Sequence, residues 1–310
     1  MYGETMAILT VVSFALSFVL ARKIENEATP LFQNAIRSII GFITFLTICL
    51  SLGIFFKIFS LSILIILFLS ISILFTVILG DTAYLHSQKI LGPAKALAIT
   101  TTTPFFTILF AILFLNRPIS VQMVFSGILI GIGVIVITKE KDNNFGNKEA
   151  GKEESSKKFL PKVLKGTFLA LFTAISWAIG TSLTDYSITQ VDTLLNIGIL
   201  STMIAMMIRF LFASILLSSI TIVERKKIPI PKNRNTWIIL IISAILSYSI
   251  GSIFFGEAVH TVGAVFVSLI STAMPLFTIP FSYIINKEKL SLRGFIGVVI
   301  TFIGVIIILF

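Results

Sequence analysis

Asp81 is the residue with the most chemistry to offer. It follows twenty residues, Leu61 to Gly80, that carry no charge, and an ionised carboxylate in such a run costs about 3 kcal/mol on insertion scales. A group kept at that cost faces a cavity or a partner. If its hydration changes, its affinity for a proton must change too. Tyr84 and Gln88 continue its helical face at i+3 and i+7. Two structural readings compete with a chemical one: an ion pair with Arg37 or Lys95, or a helix-end group that reaches the headgroups. His86 and Glu257 are the other acid/base candidates, 171 positions apart and nearer the ends of apolar runs. Arg37 and Arg209 also fall inside such runs. Arginine can snorkel, and a structural job at opposite membrane faces is expected of this pair.

Hydroxyls and rings form a second group. Thr100 to Thr103 precede Pro104, and Ser271 and Thr272 precede Pro275. Proline frees a carbonyl one turn back, which hydroxyls can satisfy inside a membrane. Pro104 and Pro275 therefore predict helix kinks, and Thr100, Thr103 and Ser271 belong either to those kinks or to a cavity wall that flexes. Thr10, Ser13 and Ser17 share one face with i, i+3, i+7 spacing, as do Thr173, Ser176 and Gly180. Such small residues let helices pack closely in lipid; with Phe14 and Trp177 beside them, they also suit the wall of an aromatic pocket. Phe14, Tyr84, Trp177 and Phe255 are expected to border one central cavity. The chain has two histidines, no HExxH, no paired aspartates and no Gly-Lys-Ser/Thr phosphate loop. No catalytic residues, metal site or cofactor are expected.

The scaffold that must position these groups is apolar. Of 310 residues 56% are hydrophobic and 12% charged, about half the charge of a soluble domain, and the mean hydropathy is +1.04. Runs long enough to cross a hydrocarbon core of about 30 Å recur along the chain. Ten spans are drawn, over 6–21, 31–52, 61–83, 95–115, 121–138, 163–183, 197–220, 237–256, 265–285 and 292–310. The single cysteine, Cys49, excludes a disulfide framework within the chain. Only Glu4 precedes the first run, without Lys or Arg, so an uncleaved first span is expected.

The spans form a duplication. Residues 80–137 lie without a gap on residues 251–308, and 14 of the 46 positions from Gly92 to Ile137 are identical. Gly3, Ala7, Thr10, Ser13 and Ala15 match Gly166, Ala170, Thr173, Ser176 and Ala178 at a shift of 163, and Arg37 matches Arg209 at a shift of 172. A fixed shift marks an internal repeat, and in an apolar chain it points to an alternating-access carrier. The fold expected is an all-α integral membrane protein of ten transmembrane helices in two five-helix repeats, 1–138 and 161–310, joined by a hydrophilic linker, 139–160, with no apolar periodicity. Of the 24 Lys and Arg residues, 20 lie in odd-numbered breaks or at the span ends that flank them, 2 in even breaks, and Arg37 and Arg209 deeper inside spans. The net charge of +10 is thus explained by orientation in the membrane rather than by nucleic acid. Basic loops stay cytoplasmic, so the linker faces inward, both termini outward, and the copies are inverted.

With its Thr103-Pro104-Phe105-Phe106-Thr107 and Met274-Pro275-Leu276-Phe277-Thr278 segments, its Leu-Asn-Arg-Pro-Ile-Ser and Asn-Lys-Glu-Lys-Leu-Ser turns and its Gly-rich closing spans, the chain resembles the drug/metabolite transporter superfamily in its EamA-type ten-span form. Family halves usually carry a Glu in the turn; Glu288 keeps it, and Arg117 stands in its place in the first half. The resemblance implies a secondary carrier in the plasma membrane that exports small metabolites such as amino acids or related apolar and aromatic compounds. Its central cavity would lie between the halves. Phe14, Asp81, Tyr84, Gln88, Thr100, Thr103, Trp177, Phe255 and Ser271 are then candidates for substrate contact, and Asp81, His86 and Glu257 for coupling or gating. The partners expected are a small-molecule substrate and the lipid bilayer, with no nucleic acid, for a monomer or homodimer. The alternative is a polytopic membrane enzyme acting on lipid-soluble substrates.

The topology is testable by thiol labelling of whole cells in a Cys49→Ser background. An impermeant reagent is expected to label a cysteine at Thr193 and to miss one at Asn144; the opposite pattern inverts the assignment.

Overall fold

In the computed structural model the described residues are 1–91, 93–115, 120–138, 156–224, 230–286, 296–297, 299–300, 303–304 and 306–307. Among them every regular element is helical. We label these α1 (Tyr2–Lys23), α2 (Pro30–Ser51), α3 (Ile63–Leu91), α4 (Pro93–Thr100), α5 (Thr103–Phe110), α6 (Val121–Thr138), α7 (Ser156–Leu195), α8 (Ile199–Val223), α9 (Arg234–Ser271) and α10 (Met274–Asn286). Six of the described helices are long and apolar enough to cross a membrane: α1, α2, α3, α8, α9 and the part of α7 from Val163 to Leu195. Their outer faces carry exposed Ile43, Leu67, Ile215 and Ile241, a surface suited to hydrocarbon. The turns with Arg117 and Glu288, most of the linker and most of the tenth expected span lie outside the described residues. Helix α7 begins at Ser156, inside the stretch expected to be unstructured. Lysine and leucine are good helix formers, and a helix already begun in the membrane extends at little cost.

Local chemistry sets the helix ends. Thr29 caps α2, its hydroxyl accepting from the Phe32 amide at 3.3 Å, with Pro30 at the first helical position. Ser62 caps α3 in the same way, accepting from the Ile65 amide at 3.4 Å. Gly53 ends the turn after α2 at φ +68°, a conformation open to glycine at little cost.

Helices α3 and α9 depart from regular α winding at equivalent places. Leu74–Asp81 and Ile245–Gly251 are wound as π-helix, and residues 74 and 245 are 171 apart. The proline segments repeat this equivalence. Helix α4 stops at Thr100 and α5 restarts at Thr103 with Pro104 in its first turn; α9 stops at Ser271 and α10 restarts at Met274. The kinks expected at Pro104 and Pro275 are therefore breaks. At the first break the carbonyl that Pro104 leaves without an amide, Thr100 O, takes the Thr103 hydroxyl at 2.7 Å. At both, a hydroxyl also bonds the last turn, Thr100 to Leu97 O at 2.9 Å and Thr272 to Leu269 O at 2.6 Å. Helix α9 covers the expected span 237–256 and enters the next, 265–285; it is interrupted at Gly263, whose φ of 85° and ψ of 163° are non-helical.

The two halves interlock. Helix α2 packs on α8, its repeat partner; α1 packs on α9, and α3 on α7. Small residues make these approaches close. A Cβ on Gly180 would stand 2.8 Å from Ser72 O and 2.8 Å from Thr76 N, both backbone atoms of α3. Ser17, its counterpart on α1, bonds Ser243 O of α9 at 2.9 Å. Because backbone cannot yield to an added methyl, Gly180→Ala is expected to cost about 1–3 kcal/mol, read as a lower melting temperature in detergent. Gly131→Ala, where nothing lies within 4 Å, should not lower it, since alanine is the better helix former.

Candidate functional site

Between the halves lies a cavity of about 110 Å³, where on the order of 10–15 Å³ holds one water. Its wall draws equivalent residues from both repeats: Phe14 and Trp177, Arg37 and Arg209, Thr76 and Ser247, Asp81 and Ser252, Thr100 and Ser271, Thr101 and Thr272. The irregular segments bring them there. The π stretches supply Thr76, Asp81, Ser247 and Tyr248, and the broken helices supply Thr100, Thr103, Ser271 and Pro275.

Asp81 is buried and takes two direct donors. Trp177 Nε1 donates to Oδ1 at 2.8 Å and the Tyr248 hydroxyl donates to Oδ2 at 2.6 Å. The Tyr248 oxygen also lies 3.3 Å from Asn34 Oδ1, which accepts from Arg37 Nη1 at 3.2 Å. Asp81 and Arg37 are thus connected through Tyr248 and Asn34, without an ion pair between them among the described residues. Gly80 makes room for this arrangement, since a Cβ there would stand 2.6 Å from Trp177 Cδ1. Its counterpart Gly251 does the same for Phe14, at 2.8 Å.

The two arginines are treated unequally. All three nitrogens of Arg37 donate: Nε to Ser247 Oγ at 3.3 Å, Nη1 to Asn34, and Nη2 to Ser17 Oγ at 3.0 Å and Ser247 Oγ at 2.8 Å. Its guanidinium carbon also sits 4.4 Å from the Tyr248 ring centroid, within cation–π range. Arg209 places Nη2 on Thr76 Oγ1 at 3.0 Å and Nη1 on the thioether of Met206 at 3.3 Å, and its Nε is buried without a partner. The hydroxyl contacts mirror each other, Arg37 to Ser247 and Arg209 to Thr76. The neighbours three residues upstream do not, Asn34 against Met206.

Of the residues singled out in the sequence, Phe14, Asp81, Thr100, Thr103, Trp177, Phe255 and Ser271 line the cavity. Tyr84 does not: it stands one layer behind, its ring 5.4 Å from Trp177 and 4.9 Å from Phe18. Gln88 is buried away from the cavity, because two further turns carry that helical face past the cavity's end. His86 is exposed and lies off the cavity. Glu257 is buried but bonded to Thr202 Oγ1 at 3.3 Å, off the cavity. An ion pair of Asp81 with Arg37 is replaced by the donors above. Arg37 and Arg209 do not snorkel; they are 0% and 2% exposed and share one cavity. The signal that could have found them was their exact repeat equivalence, and Thr76 and Ser247 carry the same signal. Nothing in the sequence singled out Tyr248, whose counterpart is Val77.

A family model for EamA-like transporters matches residues 1–139 and again residues 164–310. The chain belongs to the EamA-like transporter family. It is accordingly a multi-pass membrane protein of a family of transporters rather than enzymes. Among solved structures 28 chains match. One, described as "Crystal structure of protein", superposes with a TM-score of 0.73 at 15% identity, covering 98% of this chain and 95% of the other; this likeness speaks for the fold alone. No curated protein matches.

The unequal surroundings of the arginines set an order of stability. Arg37→Gln strands Ser17, Asn34 and Ser247 and is expected to cost about 2–4 kcal/mol. Arg209→Gln, which loses one hydroxyl and one sulfur contact, should cost about 1 kcal/mol. Thermal unfolding of the two purified variants measures both; equal losses would refute the inequality.

Proposed function

We propose that this EamA-family transporter is a secondary active carrier that exports small metabolites with apolar or aromatic bodies, amino acids or related compounds among them, by alternating access. The observation that carries the reading is the cavity wall itself, built from repeat-equivalent residues of both halves. A site at the interface of inverted repeats stays fixed while the halves rock about it. The breaks at Thr101–Thr102 and Thr272–Ala273 supply joints on both sides. Phe14, Phe18, Trp177 and Phe255 offer faces on which an apolar body gains about 0.5–1.5 kcal/mol per ring pair.

Ten spans in two inverted repeats fit this reading. The six long helices count α9 once, although at 38 residues it would be about 57 Å long if straight, nearly twice a bilayer core. Helices α5, α6 and α10 are shorter apolar elements. The basic-residue asymmetry supports an orientation with linker 139–160 cytoplasmic and both termini outside; placement in the plasma membrane rests on the family. We take the working unit to be a monomer or homodimer in the bilayer, with a small-molecule substrate and no nucleic acid.

In this carrier Asp81 is the coupling carboxylate. Its two donors, Trp177 on α7 and Tyr248 on α9, stand on elements of the opposite half, so a rocking motion that parts the halves rehydrates the acid and changes its hold on a proton. Asp81→Asn keeps the shape and removes the titration. In sealed proteoliposomes screened with a metabolite panel, the wild type should accumulate substrate against its gradient under a pH difference. The Asn variant should fold, lose that accumulation and retain exchange, and Glu288→Gln should behave as wild type. Undiminished uphill transport by Asp81→Asn, with an unchanged pH profile, removes Asp81 from coupling.

A further inference from the structure

Among the described residues the cavity wall carries more positive than negative charge, and the surplus is localised. Arg37 and Arg209 both line it, against one described carboxylate, Asp81. Asp81 is engaged by Trp177 and Tyr248 and makes no ion pair with either arginine among the described residues. The nearby acids are committed elsewhere: Glu257 accepts from Thr202, and Asp185 from the Ala264 amide at 2.9 Å. Neither lines the cavity.

Arg37 has a donor-to-acceptor match on every nitrogen. Arg209 does not. At 2% exposure its Nε has no partner, and Nη1 faces a thioether, a weak acceptor. A buried charged donor without an acceptor is costly, and such groups inside membranes mark substrate pathways. The group that best completes a guanidinium fork is a carboxylate, which takes two parallel N–H donors. The apolar part of the same molecule has a place beside it, since the Phe255 ring centroid lies 5.7 Å from the Arg209 guanidinium carbon.

From this geometry we infer that Arg209 is the recognition site for a carboxylate on the transported molecule, so that the substrate is an aromatic or apolar carboxylate and not a cation or a neutral alcohol. This rests on the carrier reading and names the substrate class for that same cavity. Arg37, saturated by its own neighbours, holds the wall in place. Charge balance follows: with the substrate's carboxylate bound, two guanidinium groups meet two carboxylates.

The two tryptophans allow a direct test. Trp237 donates to Pro231 O at 2.9 Å and packs edge-on to Phe32, away from the cavity. Trp237→Phe therefore leaves Trp177 as a lone fluorophore in the cavity wall. Full-length protein is titrated with 3-phenylpropanoate, L-phenylalanine, 3-phenylpropan-1-ol and 3-phenylpropylamine. At least one carboxylate is expected to bind ten-fold or more tighter than the alcohol and the amine, and Arg209→Gln to abolish that preference while changing alcohol binding less than two-fold. Arg209→Lys, which keeps the charge if Gln fails to fold, should retain the preference at reduced affinity. Either carboxylate bound through Arg209 supports the inference; tighter binding of L-phenylalanine would add that Asp81 receives an ammonium. Equal affinity for carboxylate and alcohol, preference for the amine, a carboxylate affinity indifferent to Arg209, or no saturable change with any probe overturns it. Counterflow of the same four compounds in proteoliposomes separates the two levels. Exchange of the alcohol or amine but not the carboxylates leaves a carrier without this specificity. Arg209-dependent carboxylate binding with no exchange of any compound leaves the anion site and removes the carrier.

Discussion

Guanidinium groups keep their charge at neutral pH, and here two of them lie almost wholly buried inside a membrane protein. Much else in the interior follows from keeping them there. Ser17, Asn34, Thr76 and Ser247 exist in the middle of apolar helices because a buried charge needs acceptors. Asp81, engaged by Tyr248, offsets part of the positive potential at a distance. The tight glycine approaches, Gly80 on Trp177 and Gly180 on α3, bring these polar groups within reach of one another and squeeze out lipid.

The frame is nearly two-fold and its contents are not. Backbone features repeat faithfully: two π stretches, two breaks before a proline, two glycines against two rings. Side chains differ in and around the cavity, Asp81 against Ser252, Asn34 against Met206, Trp177 against Phe14. Under the carrier reading proposed above, backbone symmetry would let both halves move alike, and departures from it would give one small molecule a front and a back.

Much of this was legible in the residues alone, because hydropathy and repetition are one-dimensional signals. Asp81 stood out by its cost in an uncharged run, and Phe14, Trp177, Thr100 and Ser271 by matched positions on matched helices. What the sequence hid was depth and rotational phase. Tyr84 and Gln88 were assigned to the cavity by α-helical spacing from Asp81, yet Tyr84 stands behind Trp177 and Gln88 lies beyond the cavity's end. Tyr248 was invisible because its place depends on the π winding in the second half. The arginines were misjudged for a different reason: snorkelling is a property of a lone helix, and only the assembled bundle shows that Arg37 has three acceptors close by and is wholly buried.

The π-wound segments have a mechanical consequence. Each fits an extra residue into a turn by bonding i to i+5 in place of i+4. Returning one such turn to ordinary winding would rotate everything beyond it by about 100° without breaking the helix elsewhere. In α3, where the π stretch ends at Asp81, that rotation would swing its carboxylate off Trp177 and Tyr248 and out of the chamber. At the matching place in α9 it would do the same to Ser252. The helix is wound like a torsion spring at the two points where the polar residues are aimed, and a single added hydrogen-bond register is enough to re-aim them.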